Sequence, residues 1–252
     1  MQCGNGIEFD YGMWDFNNDR VVENFESHVS MSIPSYHRVH NLTTELIKSR
    51  YIPKDRKIRV LDIGCSLGTL DVSIEKEWEK SSSREIEIVA MDISKGMIDK
   101  CKEIPDTKVN FICGNPITKL IIEKEKYDVI ICLYVLQFIE NDYKRMLLKE
   151  IYEKLSDDGV LILADKFKSD IDFIESKNEY ELRKYKMEMG FSREEIDGKR
   201  SSLSMKQDRM YDSYFLSFLM STGFKTISPM TRDWNFASYV IKKGGFGDGW
   251  TR

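Results

Sequence analysis

The chain has 252 residues, 41% of them apolar, with 38 basic and 42 acidic side chains and a net charge of −4. That length fits one large domain, or one domain with an elaborated cap, and supplies enough apolar residues for a full core. The near balance of charge argues against direct nucleic-acid binding, which needs a basic face, and no apolar run approaches the ~18 residues that span a membrane.

Residues 1–16 carry Gly, Asn and aromatics without a period and read as a loop. From about Asp19 to Ser32, Val21, Val22, Phe25 and Val29 recur at helical spacing, and Pro34 breaks the run. A second helix is predicted from about Tyr36 to Arg50, with Val39, Leu42, Leu46 and Ile47 inward and Pro53 beyond its end. Both helices should fold over the ligand edge of a sheet. Strands and helices then alternate: Lys57 to Ile63, a helix over Gly68 to Glu79, a turn at Ser81 to Ser83, and a strand from Ile86 to Met91. A helix over Ser94 to Lys102 follows, with Ser94 as its N-cap. Val109 to Cys113 and Tyr127 to Leu133 are strands. Asp142 to Leu155 is a helix closed by an Asp157-Asp158-Gly159 turn, and Val160 to Ala164 is a strand. Charge-rich Asp170 to Lys206 reads as a helical cap. A helix over Met210 to Ser221 presents Tyr211, Tyr214, Phe215, Phe218 and Leu219. Phe224 to Pro229 and Asn235 to Ile241 form an antiparallel edge hairpin turning near Thr231 to Asp233.

The pattern predicts an α/β domain with a seven-stranded, mostly parallel sheet covered on both faces. Its parts are N-terminal helices (1–52), a nucleotide-binding core (57–167), the cap (168–206), the last helix and hairpin (207–242) and a mobile glycine-rich tail (243–252). The odd set Cys3, Cys65, Cys101, Cys113 and Cys132 contains no C-x-x-C pair. These read as reduced packing cysteines, with Cys113 and Cys132 in buried strands, and with no signal-peptide pattern a cytoplasmic location is expected. His28, His37 and His40 lack a metal-binding spacing and read as surface or pocket-rim residues; no metal is expected.

The chemistry-bearing stretch is Val60-Leu61-Asp62-Ile63-Gly64-Cys65-Ser66-Leu67-Gly68. A dinucleotide turn uses three glycines so that a pyrophosphate can approach the backbone. Here only Gly64 and Gly68 are present, and Ser66 takes a middle position. That suits a nucleoside ligand without phosphate, such as S-adenosylmethionine (SAM), whose amino-acid tail crosses the turn. Asp62 is placed to fix the loop or hold an ammonium through water. Asp92, about two dozen residues beyond the turn, is placed to accept the ribose hydroxyls. Met97 can pack on the adenine and Asn115 can read its edge. Leu133 and Tyr134 should face the sulfonium, at the carboxyl ends of the strands where ligands sit.

On these residues the chain resembles class I SAM-dependent methyltransferases, and within them the carboxy-S-adenosylmethionine synthases of the wobble-uridine tRNA modification pathway. The likeness runs from about Trp14 to Lys242. It rests on Arg20-Val21-Val22-Glu23-Asn24-Phe25, Ile33-Pro34-Ser35-Tyr36, the 62–68 turn, Leu136-Gln137-Phe138, Asp165-Lys166-Phe167, Lys199-Arg200-Ser201 and Trp234-Asn235-Phe236. The resemblance implies a Rossmann-like fold, a homodimer, and conversion of SAM and prephenate into carboxy-S-adenosylmethionine and phenylpyruvate. It implies that Tyr36, Gly64, Cys65, Ser66, Asp92, Ile93, Asn115 and Pro116 line the ligand, and that Arg200 binds the added carboxylate in a bidentate fork. The family places an acid where this chain has Asn115 and an asparagine where it has Leu133. An apolar Leu133 is the feature that favours an alternative, methyl transfer to a small molecule or other acceptor with S-adenosylhomocysteine as product. Tyr36, His37 and Tyr134 are base candidates there by position alone. A third reading is a non-catalytic module that retains the ligand.

Overall fold

In the computed structural model, residues 18–49, 57–204 and 207–244 are described; the readings for residues 1–16 and for the tail from 245 onward lie outside them. Short apolar runs form the strands β1 (Ile58–Ile63), β2 (Ile86–Asp92), β3 (Asn110–Cys113), β4 (Tyr127–Leu133), β5 (Leu155–Lys166), β6 (Thr226–Asp233) and β7 (Phe236–Lys242). They build one sheet in the order β3-β2-β1-β4-β5-β7-β6. The first five are parallel, and β7 runs antiparallel between β5 and β6. The strand order reverses between β1 and β4, so a crevice opens beyond their carboxyl ends.

Helices cover both faces. One core layer joins Leu70, Ile74 and Trp78 of α3 (Thr69–Ser81) and Ile98 of α4 (Lys95–Cys101) to Ile47 of α2 (Tyr36–Ser49). The other joins Leu120 of α5 (Pro116–Ile122), Leu147, Leu148 and Ile151 of α6 (Asn141–Lys154), and Phe215 and Leu219 of α9 (Asp212–Thr222). The amino-terminal helix α1 (Asp19–Ser32) is capped by Asn18, whose side chain accepts from the Arg20 amide at 3.0 Å. The cap is two helices, α7 (Asp172–Glu188) and α8 (Arg193–Ser204). Among the described residues no helix is long and apolar enough to cross a membrane.

Several readings are corrected. The helix α5 was missed, although Asn115 caps it and Pro116 opens it, a start signal that the short apolar run after it obscured. The 157–159 segment lies inside β5 as an irregularity between the Tyr127–Leu155 and Val129–Val160 pairs. There a Cβ on Gly159 would stand 2.7 Å from the Ser156 carbonyl. The edge hairpin turns at Trp234 and Asn235, with Trp234 at φ 53°, because β6 continues pairing to Asp233. Cys113, at the last position of β3, is exposed, while Cys132 is buried in β4. On α9, Tyr211 and Tyr214 are exposed, and Phe215 and Leu219 carry the packing.

Candidate active site at the sheet's switch point

The turn after β1 is held by backbone. The Gly64 and Cys65 amides both donate to the Met91 carbonyl, at 2.7 and 3.0 Å. Gly64 sits at φ +82°, and a Cβ there would come within 2.3 Å of Val135 Cγ2. Ser66 also adopts a left-handed conformation (φ 53°). Its amide donates to Asp92 Oδ2 at 3.0 Å, and the Ser94 amide donates to Asp92 Oδ1 at 2.8 Å. Asp92 therefore latches the turn to the end of β2 and keeps a second lone pair on each oxygen for a diol. Gly68, also expected to bind ligand, starts α3 at φ +69° behind the cavity wall; a Cβ there would meet Phe111 at 2.6 Å.

A cavity of about 1180 Å³ opens over this turn. Small-ligand pockets run ~300–1,000 Å³, so it has room for a nucleoside and a second small molecule. Tyr36, Asp62, Gly64, Cys65, Ser66, Asp92, Ile93, Met97, Asn115, Pro116, Leu133 and Arg200 all line it. Met97 is almost wholly buried and contacts Ser66 Oγ through its sulfur at 3.7 Å. Asn115 Oδ1 accepts from the Ile117 amide at 2.9 Å, which leaves its NH2 group as the part able to meet a base edge. Leu133 closes one side with an apolar surface, followed by Tyr134 at φ 63°.

The core-side end is acidic. Burial raises the Glu26 and Asp92 carboxyls above their ordinary range. Asp62 is pushed up to about 7 by burial, and the buried Asp71 beside it is raised by burial and then by the Asp62 charge. Two carboxyls this close in low dielectric hold on to a proton between them. The Tyr36 hydroxyl donates to Glu26 Oε2 at 3.3 Å, and its ring lies 4.2 Å from His40 and 6.0 Å from Tyr134. Burial, with Glu26 adding to it, keeps this phenol protonated, which makes Tyr36 a donor and unsuited to act as a base. The Cys101 thiol and burial push the Cys65 thiol up as well, so it is an inert wall residue.

The cap side gathers the cavity's cations among carboxylates of the cap: Lys166, Lys186, Lys199, Arg200 and Arg209 line it, with Asp172, Glu175, Glu179, Glu195 and Asp197. Glu179 bonds Lys166 at 3.0 Å and Arg209 at 2.9 Å, and Arg209 reaches Glu175 at 3.0 Å. Lys186 is pushed down to about 8 by burial and then by the Lys166 charge. His28 of α1, expected at a surface or rim, is buried here, 2.8 Å from Lys199.

Sequence reasoning missed Glu26, His28, Lys166, Lys186 and Lys199 as cavity groups, although Lys166 and Lys199 stand in motifs it singled out. Three of the motifs, 136–138, 165–167 and 234–236, are tied to one another and to the cap. Asp165 Oδ2 accepts from the Gln137 amide at 3.1 Å and its Oδ1 from the Lys166 amide at 2.7 Å. Asn235 Nδ2 donates to the Phe167 carbonyl at 3.1 Å and to Glu175 Oε2 at 2.8 Å.

Known proteins are similar to this chain in sequence and in fold. Residues 60–159 match the family described as a methyltransferase domain. A carboxy-S-adenosyl-L-methionine synthase of Shewanella piezotolerans is 31% identical over 237 residues, covering 91% of this chain and 93% of the relative. One of Shewanella halifaxensis is 33% identical over 233 residues, covering 90% and 91%. The solved TehB-like SAM-dependent methyltransferase of Corynebacterium glutamicum superimposes with a TM-score of 0.55 at 15% identity, covering 90% of this chain and 100% of that one. At that identity the match speaks for the fold alone.

Proposed function

Because the chain belongs to the carboxy-S-adenosyl-L-methionine synthase family, we propose that it converts SAM and prephenate into carboxy-S-adenosylmethionine and phenylpyruvate. As a member it is an SAM-using transferase. The observation that carries the finer reading is the two-ended cavity. Glu26, Asp62 and Asp92 gather at the end under the sheet, and Lys166, Lys186, Lys199, Arg200 and Arg209 at the end under the cap. A sulfonium nucleoside fits the first end. A dicarboxylate fits the second, where Arg200 can fork onto one carboxylate and the lowered Lys186 and Lys199 amines gain a proton beside an anion.

In this reading the 64–66 turn carries the amino-acid tail, and Asp92 accepts the ribose hydroxyls in charge-assisted bonds of ~1.5–3 kcal/mol each. The Asn115 NH2 meets the adenine edge beside Met97. Arg200 forks onto the carboxylate as it is transferred. Prephenate supplies the carboxyl as carbon dioxide, and the methyl beside the sulfonium, once deprotonated, captures it. The protein would work as a cytoplasmic homodimer whose product feeds wobble-uridine modification of tRNA. Ile171, Phe173 and Tyr180, exposed along the start of α7, offer apolar surface for self-association.

Arg200→Ala tests the assignment. The variant is expected to bind SAM with unchanged affinity and to lose the carboxylated product. An unchanged product yield would contradict the role of Arg200. A methyltransferase reading is favoured by one observation, the apolar Leu133 on the cavity wall, and it predicts S-adenosylhomocysteine release that depends on an added acceptor.

A further inference from the structure

The ring of His28 lies between two groups that can each change hydrogen-bonding role. Its Nε2 is 2.8 Å from Lys199 Nζ, and its Nδ1 is 3.3 Å from Ser32 Oγ. His28 and Ser32 are buried, Phe191 packs on the imidazole with ring centroids 5.1 Å apart, and all four line the cavity beside Arg200. When Lys199 is an ammonium it donates to Nε2, and Nδ1–H donates to the Ser32 hydroxyl. When Lys199 is a neutral amine it still donates an N–H to Nε2, Nδ1–H stays on the Ser32 hydroxyl, and the single amine lone pair is left to take a proton from the cavity. Both ring nitrogens stay paired in either state, so His28 orients the Lys199 amine without taking up its lone pair.

We propose that Lys199, backed by His28 and Ser32, is both acid and base of the carboxyl transfer, protonating the departing ring hydroxyl of the dicarboxylate and then taking a proton from the sulfonium methyl. This rests on the synthase reading. The carbon–carbon bond to the ring carboxylate breaks, its electron pair enters the ring, and the ring becomes aromatic as the carbon–oxygen bond breaks with its pair on oxygen. The Lys199 proton turns that oxygen into water. The neutral amine then takes a methyl proton, and the carbon lone pair left behind attacks the released carbon dioxide. Lys199 ends protonated, as it began, and no outside acid, base or oxidant enters.

Burial and the Lys186 charge hold the Lys199 amine well below the usual lysine range. Burial, then Lys199 and Lys186, push His28 down to about 2, so the imidazole stays neutral throughout. The titratable groups that line the cavity with this pair are Lys186 and Glu179 of α7, Lys166 of β5, and Arg200, Glu195 and Asp197 of α8, with Glu26 of α1 at the nucleoside end; of these the Lys186 charge acts on both members. A bound dianion raises the amine back toward its ordinary range and loads the proton on arrival.

The test uses the full chain with SAM present, titrated with prephenate in two buffers of different protonation enthalpy. Wild type is expected to take up about one proton per ligand bound. Lys199→Arg is expected to bind prephenate without proton uptake and to lose about 100-fold or more in carboxylated product, since guanidinium cannot release its proton. Lys199→Met is expected to lose the uptake and the product while keeping SAM affinity. His28→Gln, a milder change checked by thermal melting, is expected to lower the yield and move its pH profile. Full activity in Lys199→Arg, or wild-type proton uptake in Lys199→Met, would overturn the proposal. Failure of the synthase reading looks different: wild type itself makes no carboxylated product, and that removes both.

Discussion

At Gly64 the backbone leaves no room for a side chain. Its φ of +82° and the 2.3 Å approach of Val135 to an added Cβ both oppose substitution. Gly64→Ala should lower stability by about 2–4 kcal/mol in urea unfolding, combining left-handed strain with overpacking; a loss of a few tenths would contradict the geometry. The Asp62–Asp71 pair makes a separate claim about pH. Asp62 is raised to about 7 from an unfolded value near 4, and Asp71 is raised as well. The folded state therefore binds more protons than the unfolded chain between about pH 4 and 7. The stabilisation is complete below that window and is lost as the pH rises through it. In Asp71→Asn one carboxyl is gone, and the pH 5 to pH 8 fall in stability should flatten. Parallel curves for the variant and wild type would show that the pair does not titrate this way.

Among elements, the decisive junction is where α7 meets the hairpin. Asn235 bridges the Phe167 carbonyl, at the end of β5, and Glu175 of the cap. Asn235→Ala should cost about 1–3 kcal/mol and speed hydrogen exchange in α7 while leaving β1 and β4 protected. Uniform acceleration across the sheet would mean that the cap has no separate tie. The elements most legible in the sequence were those with a strong local signal. Tyr127–Leu133 is apolar but for Asp128 and forms β4 at its predicted limits, and Ser94 caps α4 as read. The hairpin turn was misplaced because β6 keeps pairing through polar Thr231 to Asp233, which resemble turn residues until the partner strand is seen.

Across the whole molecule, the site is made by contacts between distant segments. His28 and Lys199 are 171 positions apart and 2.8 Å from each other. The nucleoside half was legible because one strand-turn-helix and the next strand's end hold most of it, at a spacing set by the βαβ unit. Of the thirteen residues expected to bind ligand, twelve reach the cavity, Arg200 and eleven others, and Gly68 stands behind it. Arg200 apart, which only the family resemblance pointed to, the anion half was not legible, since its lysines are scattered over β5, α7 and α8. A lysine in a charge-rich helix looks like any solvated one until packing shuts out water. The family relationship and the two-ended cavity together make carboxyl transfer the central claim. Incubating the protein with SAM and prephenate labelled with carbon-13 in its ring carboxylate, then weighing the products, tests it most directly. The account predicts an SAM-derived species heavier by one labelled carboxyl group in place of a hydrogen, with phenylpyruvate formed in equal amount. Unchanged prephenate beside SAM, or S-adenosylhomocysteine formed only when a methyl acceptor is added, would contradict it.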